Sequence, residues 1–394
     1  MATIAEQLTS LANTKTAIKD AIVAKGVSVA DTDTFASYAD KIGQISGGGG
    51  GGDTPTEEWQ PNPNWWDIKK ILDEDTRDYP GKAGVILYNF NDVSDFQLAA
   101  SGMTAVATSD GAFYSYADNG TAVSHNWDTS KDKDDGRGAK TRWVIYYFTT
   151  DTAGYSFGQT DKSFGWAHNY IAYLVLNINC PSGVAFCGNQ RLLEAIDTVG
   201  HSISGTNFSS FCSSCNSLTK LPDGLDTSKG TTFNNFCLGC YSLTKLPDGL
   251  DTSSGTNFGS FCSSCNSLTK LPDGLDTSKG TNFGSFCSGC SSLQKVPEII
   301  MSANTSAITS KYSGPFYNAH WLKELPLTLP SNTNFWLDSS TRISIESFRY
   351  IADHAPDVTA TPRTLTVGNT NLSRINSEDP TIITDLNAKG WTVA

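Results

Sequence analysis

Eight of the ten cysteines stand in C-x-x-C pairs: Cys212/Cys215, Cys237/Cys240, Cys262/Cys265 and Cys287/Cys290. This is the spacing in the chain with the most chemistry in it, because two thiols three residues apart serve zinc ligation or thiol–disulfide exchange. Zinc requires four thiolates converging on one point, and redox work requires a thiol of low pKa at a helix start. The plainer reading is that both cysteines are small apolar side chains on a buried face. Two outlying copies of the surrounding motif favour it. Phe316 and Ala319 stand where the pair would be in one, and Gln190 replaces the second cysteine after Cys187 in the other. A core tolerates such replacements and a ligand set does not. Neither metal nor cofactor is expected. Cys180 and Cys187 are spaced less regularly and leave open a bridge between themselves. The cysteine usage as a whole fits a reducing cytoplasm.

The pairs are set in a strict repeat. F-C-x-x-C-x-S-L begins at Phe211, Phe236, Phe261 and Phe286, a period of 25 residues, and T-K-L-P-D-G-L-D-T-S-x-G-T-x-F fills much of the interval. A fixed period in this range predicts a solenoid, each unit burying its apolar face against its neighbours. Phe208, Phe211, Cys212, Cys215 and Leu218 read as one face of a short helix. Pro222 and Asp223-Gly224 then supply a stop and a turn. The committed apolar positions are Phe211, Cys212, Cys215 and Leu218, then Phe236, Cys237, Cys240 and Leu243, then Phe261, Cys262, Cys265 and Leu268, then Phe286, Cys287, Cys290 and Leu293. With a degenerate copy at each end, beginning near Phe186 and near Phe316, six repeats are expected over residues 186–340.

This phrase resembles the BspA-type leucine-rich repeats of bacterial surface proteins and of phages infecting gut bacteria. The stretch T-L-T-V-G-N-T-N-L from Thr364 to Leu372, with the closing K-G-W-T-V, is similar to the C-terminal cap such repeats carry, here residues 341–394. The resemblance implies a leucine-rich-repeat scaffold and, for function, adhesion or surface display.

At the other end, Ile4, Leu8, Leu11, Lys15, Ile18 and Ile22 advance by alternating fours and threes, an a/d seam. Residues 1–46 therefore read as a helical hairpin or a coiled coil that associates as a homotrimer. The wording I-A-E-Q-L-T-S-L-A-N-T-K-T-A-I-K-D-A-I resembles the virion-proximal segment of phage tail-fibre and minor structural proteins. That resemblance implies attachment to other virion proteins through Ile4, Leu8, Leu11, Ile18 and Ile22. A run of six glycines followed by Pro55, Pro61 and Pro63 makes residues 47–64 a linker, flexible first and extended later.

Residues 65–185 are expected to form an antiparallel β domain, a sandwich, with a short helix at 66–72 and strands at 84–90, 112–116, 142–149 and 171–178. The fold class is thus α+β: a helical anchor, a β domain and a repeat solenoid with its cap. Six of the nine tryptophans fall in or beside the β domain, where packing is their ordinary fate. Asp132-Lys133-Asp134-Asp135-Gly136 has the start of a calcium loop but Trp143 at its closing position, so it reads as a solvated turn. Columns of Asp223/Asp248/Asp273, Asp226/Asp251/Asp276 and Lys220/Lys245/Lys270/Lys295 read as mutually compensating surface charge.

Net charge is −12, with 18 acidic against 10 basic residues between Asp53 and Cys180, so no basic footprint for nucleic acid is present. No apolar run reaches membrane-spanning length, and the first residues lack the form of a signal peptide. The histidines are scattered singly and no Ser-His-Asp order or paired glutamates stand out, which predicts a non-enzymatic protein. The residues expected to meet a partner are those where the repeats differ: Asn216, Tyr241, Asn266 and Ser291 in one column, Lys229, Ser254 and Lys279 in a second, and Thr232, Asn257 and Asn282 in a third. The expected activity is host-surface binding, to polysaccharide or protein, by a virion fibre made in the host cytoplasm. The alternatives are a head fibre or capsid decoration, and a bacterial surface adhesin.

Overall fold

The computed structural model describes residues 67–88, 96–98, 104–115, 123–134, 140–149, 171–181 and 186–394. All of them belong to one compact unit, Pro61–Ala394. The anchor positions Ile4, Leu8, Leu11, Ile18 and Ile22, the linker at 47–64, and Trp59, Trp65, Trp66 and Trp166 lie outside the described residues. Among the described residues the protein is a mixed α and β structure, with four α-helices and several sheets, none closed into a barrel.

Helix α1 (Ile68–Glu74) starts at Asp67, whose carboxylate accepts the Lys70 N–H at 3.0 Å. After it come β1 (Gly81–Tyr88), β2 (Phe96–Leu98), β3 (Ala105–Thr108), β4 (Phe113–Ser115), β5 (Val123–His125), β6 (Lys133–Asp134), β7 (Lys140–Phe148) and β8 (Ile171–Asn177). β9 (Cys180–Pro181) and β10 (Ala195–Asp197) follow. The main sheet has seven strands in the order β10-β8-β1-β7-β3-β4, with β6 also on β7, while β2 and β5 pair apart. Every pairing in the main sheet is antiparallel except β10 with β8.

The expected sandwich is replaced by this one sheet, and the burial says why. Gly84 faces α1, where a Cβ would stand 2.5 Å from Ile68 Cγ1, so the helix lies directly on the strand. On the opposite face, Ala83, Val85, Val144, Tyr146, Phe148, Leu174 and Leu176 join a core that continues through Phe186 and Phe211 to Trp391. With a helix on one face and the repeats on the other, both faces are covered, and β8 reads as an almost unbroken apolar run.

The 25-residue units lie side by side in register. Phe186, Phe211, Phe236, Phe261 and Phe286 stack in one column with centroids 5.2–5.5 Å apart. Phe208, Phe233, Phe258 and Phe283 stack in a second at 5.5–5.7 Å. Successive rings are held by backbone bonds between units, such as Phe233 N–H to Asn257 O at 2.8 Å and Cys237 N–H to Phe261 O at 2.9 Å. Gly255 sits where a Cβ would come within 2.4 Å of Phe258 Cζ, and Gly230 and Gly280 meet their own phenylalanines in the same way. Each fully buried ring contributes about 1.5–3 kcal/mol by removal from water.

The short helix expected on Phe208–Leu218 is instead a string of tight turns. Ser210 and Ser214 have φ of 56° and 61°, and their counterparts Asn235, Gly239, Ser260, Ser264, Ser285 and Gly289 are also left-handed. A left-handed residue every fourth position stops a helix from propagating. It also turns the N–H groups of Phe208, Ser210, Cys212 and Ser214 outward to the next unit's carbonyls, at 2.6–2.9 Å. The three-residue apolar step survives because Phe211, Cys215 and Leu218 still bond three residues back.

Short parallel bridges tie further points of the units. β11 (Ile203–Ser204) lies between β9 and β12 (Leu225–Asp226), and β13 (Ile299–Ile300) pairs with β14 (Leu327–Thr328). The chain closes with β15 (Phe335–Trp336), α2 (Ile345–His354), β16 (Arg363–Thr366), α3 (Gly368–Glu378), α4 (Thr381–Ala388) and β17 (Trp391–Val393), in which β15, β16 and β17 form a parallel sheet. Arg349 fastens this end, reaching Asp379 at 2.7 Å and Asp385 at 2.5 Å.

Candidate functional site

The cysteines settle first, since their positions decide what chemistry they do. All ten are buried free thiols. The second cysteine of each pair directs its Sγ–H at the carbonyl of the first cysteine one unit earlier: Cys215 to Cys187, Cys240 to Cys212, Cys265 to Cys237 and Cys290 to Cys262, at 2.9–3.1 Å. Farther along, buried Ser340 Oγ and Asn371 Nδ2 donate to the carbonyls of Ala319 and Ser340, each at 3.0 Å. Thiol, hydroxyl and amide thus do one task, satisfying a carbonyl inside the core. Burial pushes the thiols of Cys212, Cys215, Cys237, Cys265 and Cys287 well above the usual value, and that of Cys180 up to about 12. Such thiols stay protonated at neutral pH. Among the described residues no three His, Cys, Asp or Glu side chains converge as a metal site requires.

The three variable columns have different fates. In the first, Tyr241 is 47% exposed and Asn266 is exposed, while Asn216 and Ser291 are half-buried. Its backbone is in register, with Ser242 N–H on Asn216 O and Ser267 N–H on Tyr241 O, both at 3.2 Å. In the second, Lys229 and Lys279 are exposed and Ser254 is half-buried. They ride on turns fixed by Asp226, Asp251 and Asp276, whose carboxylates accept the N–H of Ser228, Ser253 and Ser278 at 2.8–3.0 Å. Those hydrogen bonds hold the Asp226 and Asp251 carboxyls below the ordinary range.

In the third column the side chains engage one another. Asn207, Thr232, Asn257 and Asn282 form a ladder of parallel bridges. Asn282 Nδ2 donates to Asn257 Oδ1 at 3.1 Å, and each Oδ1 accepts the N–H two residues on, from Gly259 and from Gly284. Asn257 and Asn282 are half-buried parts of the scaffold, their side-chain oxygens already engaged. Thr231, Thr256 and Thr281 add a second ladder, each hydroxyl donating one unit back at 3.0–3.1 Å.

Comparison with protein-family models, curated proteins and solved structures finds no match.

Two features lay beyond the sequence reading. On β5, which pairs with β2 apart from the main sheet, His125 is 4% exposed and sits between the Asp110 carboxylate at 3.0 Å and the Tyr114 hydroxyl at 2.9 Å. Burial alone would raise the Asp110 carboxyl, but Thr108, the Asp128 N–H and His125 together bring it below the ordinary range. Asp132, expected in a solvated turn, is buried and grips Arg142 through two bonds of 2.6 and 2.8 Å. No local signal gives these pairs, whose members are 10 to 15 residues apart; Asp132 meets Arg142 through the pairing of β6 with β7, and His125 meets Asp110 by packing of β5 against the β3–β4 turn. The second feature is that the first column runs on. Glu324 pairs with Lys295 and Tyr317 O accepts from Gly289 N–H, which puts His320 in line with Ser291 and Trp321 beside it. Trp321 is 50% exposed. The alignment of Phe316 and Ala319 with the cysteine pair implies this place for His320, although the 29-residue offset keeps it out of a comparison of the four 25-residue copies.

Proposed function

We propose that the chain is a non-enzymatic fibre protein of a bacteriophage particle, joined to other virion proteins through residues 1–46 and binding host-surface glycan through its repeats. On this reading residues 186–340 are a leucine-rich-repeat solenoid and residues 341–394 its cap. The observation that carries it is the division of labour within each unit. The phenylalanine and cysteine columns are fully buried, while Tyr241, Asn266, Lys229 and Lys279 recur at the same turns and face water. A surface that repeats every 25 residues suits a ligand that also repeats, and a polysaccharide is such a ligand. Individual hydrogen bonds of about 1 kcal/mol then add through repetition along one chain and across a trimer.

Adsorption competition tests this. Host cells pre-incubated with the full chain should lose phage adsorption, and mild periodate oxidation of the cell surface should abolish binding of the chain. Undiminished adsorption under saturating protein would leave a head fibre or decoration role; binding that survives periodate would move the ligand from glycan to protein.

A further inference from the structure

Tyr312, Tyr317, His320, Trp321 and Arg342 form a surface strip at the last repeat. By backbone register Tyr312 continues the Phe208–Phe233–Phe258–Phe283 column, since Ser285 N–H bonds Ser313 O at 3.0 Å and Cys287 N–H bonds Pro315 O at 2.7 Å. The four phenylalanines are wholly buried, yet Tyr312 is 64% exposed and turns its ring edge-on to Tyr317 at 5.2 Å. Residues inserted in this unit carry a short 3-10 turn, Lys311–Ser313, that lifts the ring out of the core.

The following segment lies along the same edge. Asn318 N–H bonds Ser339 Oγ at 3.0 Å, His320 Nδ1 meets Ser339 O at 3.0 Å, and the Arg342 guanidinium carbon sits 3.9 Å from the Trp321 ring centroid. Lys311 Nζ in turn lies 5.4 Å from the Tyr312 ring centroid. Of the four exposed large apolar side chains among the described residues, two are in this strip, and each has a cation against its ring.

Charge bookkeeping singles out Arg342. Asp338 is held by Lys311 at 3.9 Å and Glu324 by Lys295 at 3.2 Å. Among the described residues Arg342 takes part in no ion pair, and its guanidinium is fixed in place by the tryptophan rather than by a carboxylate. A guanidinium stacked on a half-exposed indole, and in no ion pair among the described residues, turns its outer edge to a ligand carboxylate, with the rest of the indole alongside for an apolar sugar face.

We propose that this strip is a subsite for a carboxylate-bearing saccharide, a uronic or sialic acid unit, with Arg342, held on the indole face of Trp321, donating a two-pronged hydrogen bond to the carboxylate and the uncovered edge of the indole packing against the sugar. Tyr312 and His320 flank the neighbouring residue of the glycan. This rests on the glycan-binding reading above and adds to it the charge of the sugar and the place where it is read. The net charge of −12 does not oppose the assignment at physiological ionic strength, where fields are screened beyond about 8 Å.

The test uses the full chain and two matched probe pairs, trigalacturonate against its methyl ester and sialyllactose against lactose, titrated by calorimetry. At least one acid should bind tenfold or more tighter than its neutral counterpart. Trp321→Ala should weaken that acid at least tenfold, and Arg342→Gln should bring the acid-to-neutral preference close to one with the melting temperature unchanged. Equal binding of acid and neutral forms in both pairs, or a preference that survives Arg342→Gln, overturns the subsite. Periodate-sensitive binding of the same protein to host cells then shows whether the general glycan reading stands without it.

Discussion

The main sheet and the repeats solve the same problem, burying polar groups safely, with opposite chemistry. In and beside the sheet the buried groups are ionisable and brought together from afar: Asp132 with Arg142, and Asp110 with His125 and Tyr114. In the repeats they are neutral and periodic: thiol to carbonyl, hydroxyl to carbonyl, amide to amide, each reaching one unit along. A buried charge is safe only while its partner is present, whereas a neutral ladder loses one rung at a time. The sheet is therefore expected to fail all at once, and at acid pH. The repeats are expected to fail locally, and at alkaline pH.

The sharpest break of that comparison is a pair of single substitutions. Asp132→Asn removes the carboxylate charge that takes two hydrogen bonds from the buried Arg142 guanidinium, and should cost about 3 kcal/mol, read as a lowered melting transition in the sheet. Phe261→Ala removes a ring that stacks on Phe236 and Phe286 and should cost a similar 3–5 kcal/mol. The two should be spatially distinct. Hydrogen exchange is expected to rise around β7 in the first variant and around residues 233–290 in the second. Exchange that rises uniformly in both would mean one cooperative unit and remove the contrast.

Titration supplies the next largest effects. Burial raises the thiols of Cys212, Cys237 and Cys287, so above the unfolded thiol value near 9 the unfolded chain releases protons from them that the folded chain keeps, whereas at Cys262, against burial, hydrogen bonds from Cys237 and Cys265 bring the thiol down to about 6. Stability of the repeats should then fall with rising pH, by about 1.4 kcal/mol per pH unit for each thiol involved. Urea midpoints between pH 8 and 10 check the sign. At the other end, the Asp110 carboxyl is depressed, so its contribution is complete above about pH 4 and disappears as pH falls through its lower folded value. Tyrosine near-ultraviolet dichroism of the sheet should show that loss, with Asp110→Asn already flattened.

How much of this could be read from the letters follows the same division. The repeat period, the buried Phe and Cys columns, and strands near 84–90, 142–149 and 171–178 were legible because their signals are local and recur. The helix expected on Phe208–Leu218 failed because three-residue spacing fits a string of turns as well as a helix. The left-handed Ser210 and Ser214 that decide between them have no compulsory residue type. Asn257 and Asn282 looked available for a partner because amides vary at surfaces, and the amide ladder that engages them needs the register of neighbouring units. The Asp132–Arg142 pair was invisible because β6 must first find β7.

On the proposed function, the columns carrying stability and those carrying recognition are different residues of the same repeat. The most direct measurement takes the full chain with Asn216, Tyr241, Asn266 and Ser291 all replaced by Ala, and records its melting temperature and its binding to host cells side by side. Exposed and half-exposed positions of this kind should each change stability by less than about 0.5 kcal/mol. The predicted result is a melting temperature close to that of the unmodified protein with binding reduced at least tenfold. Full binding by that variant, at any melting temperature, would contradict the claim and reduce the first column to a spacer.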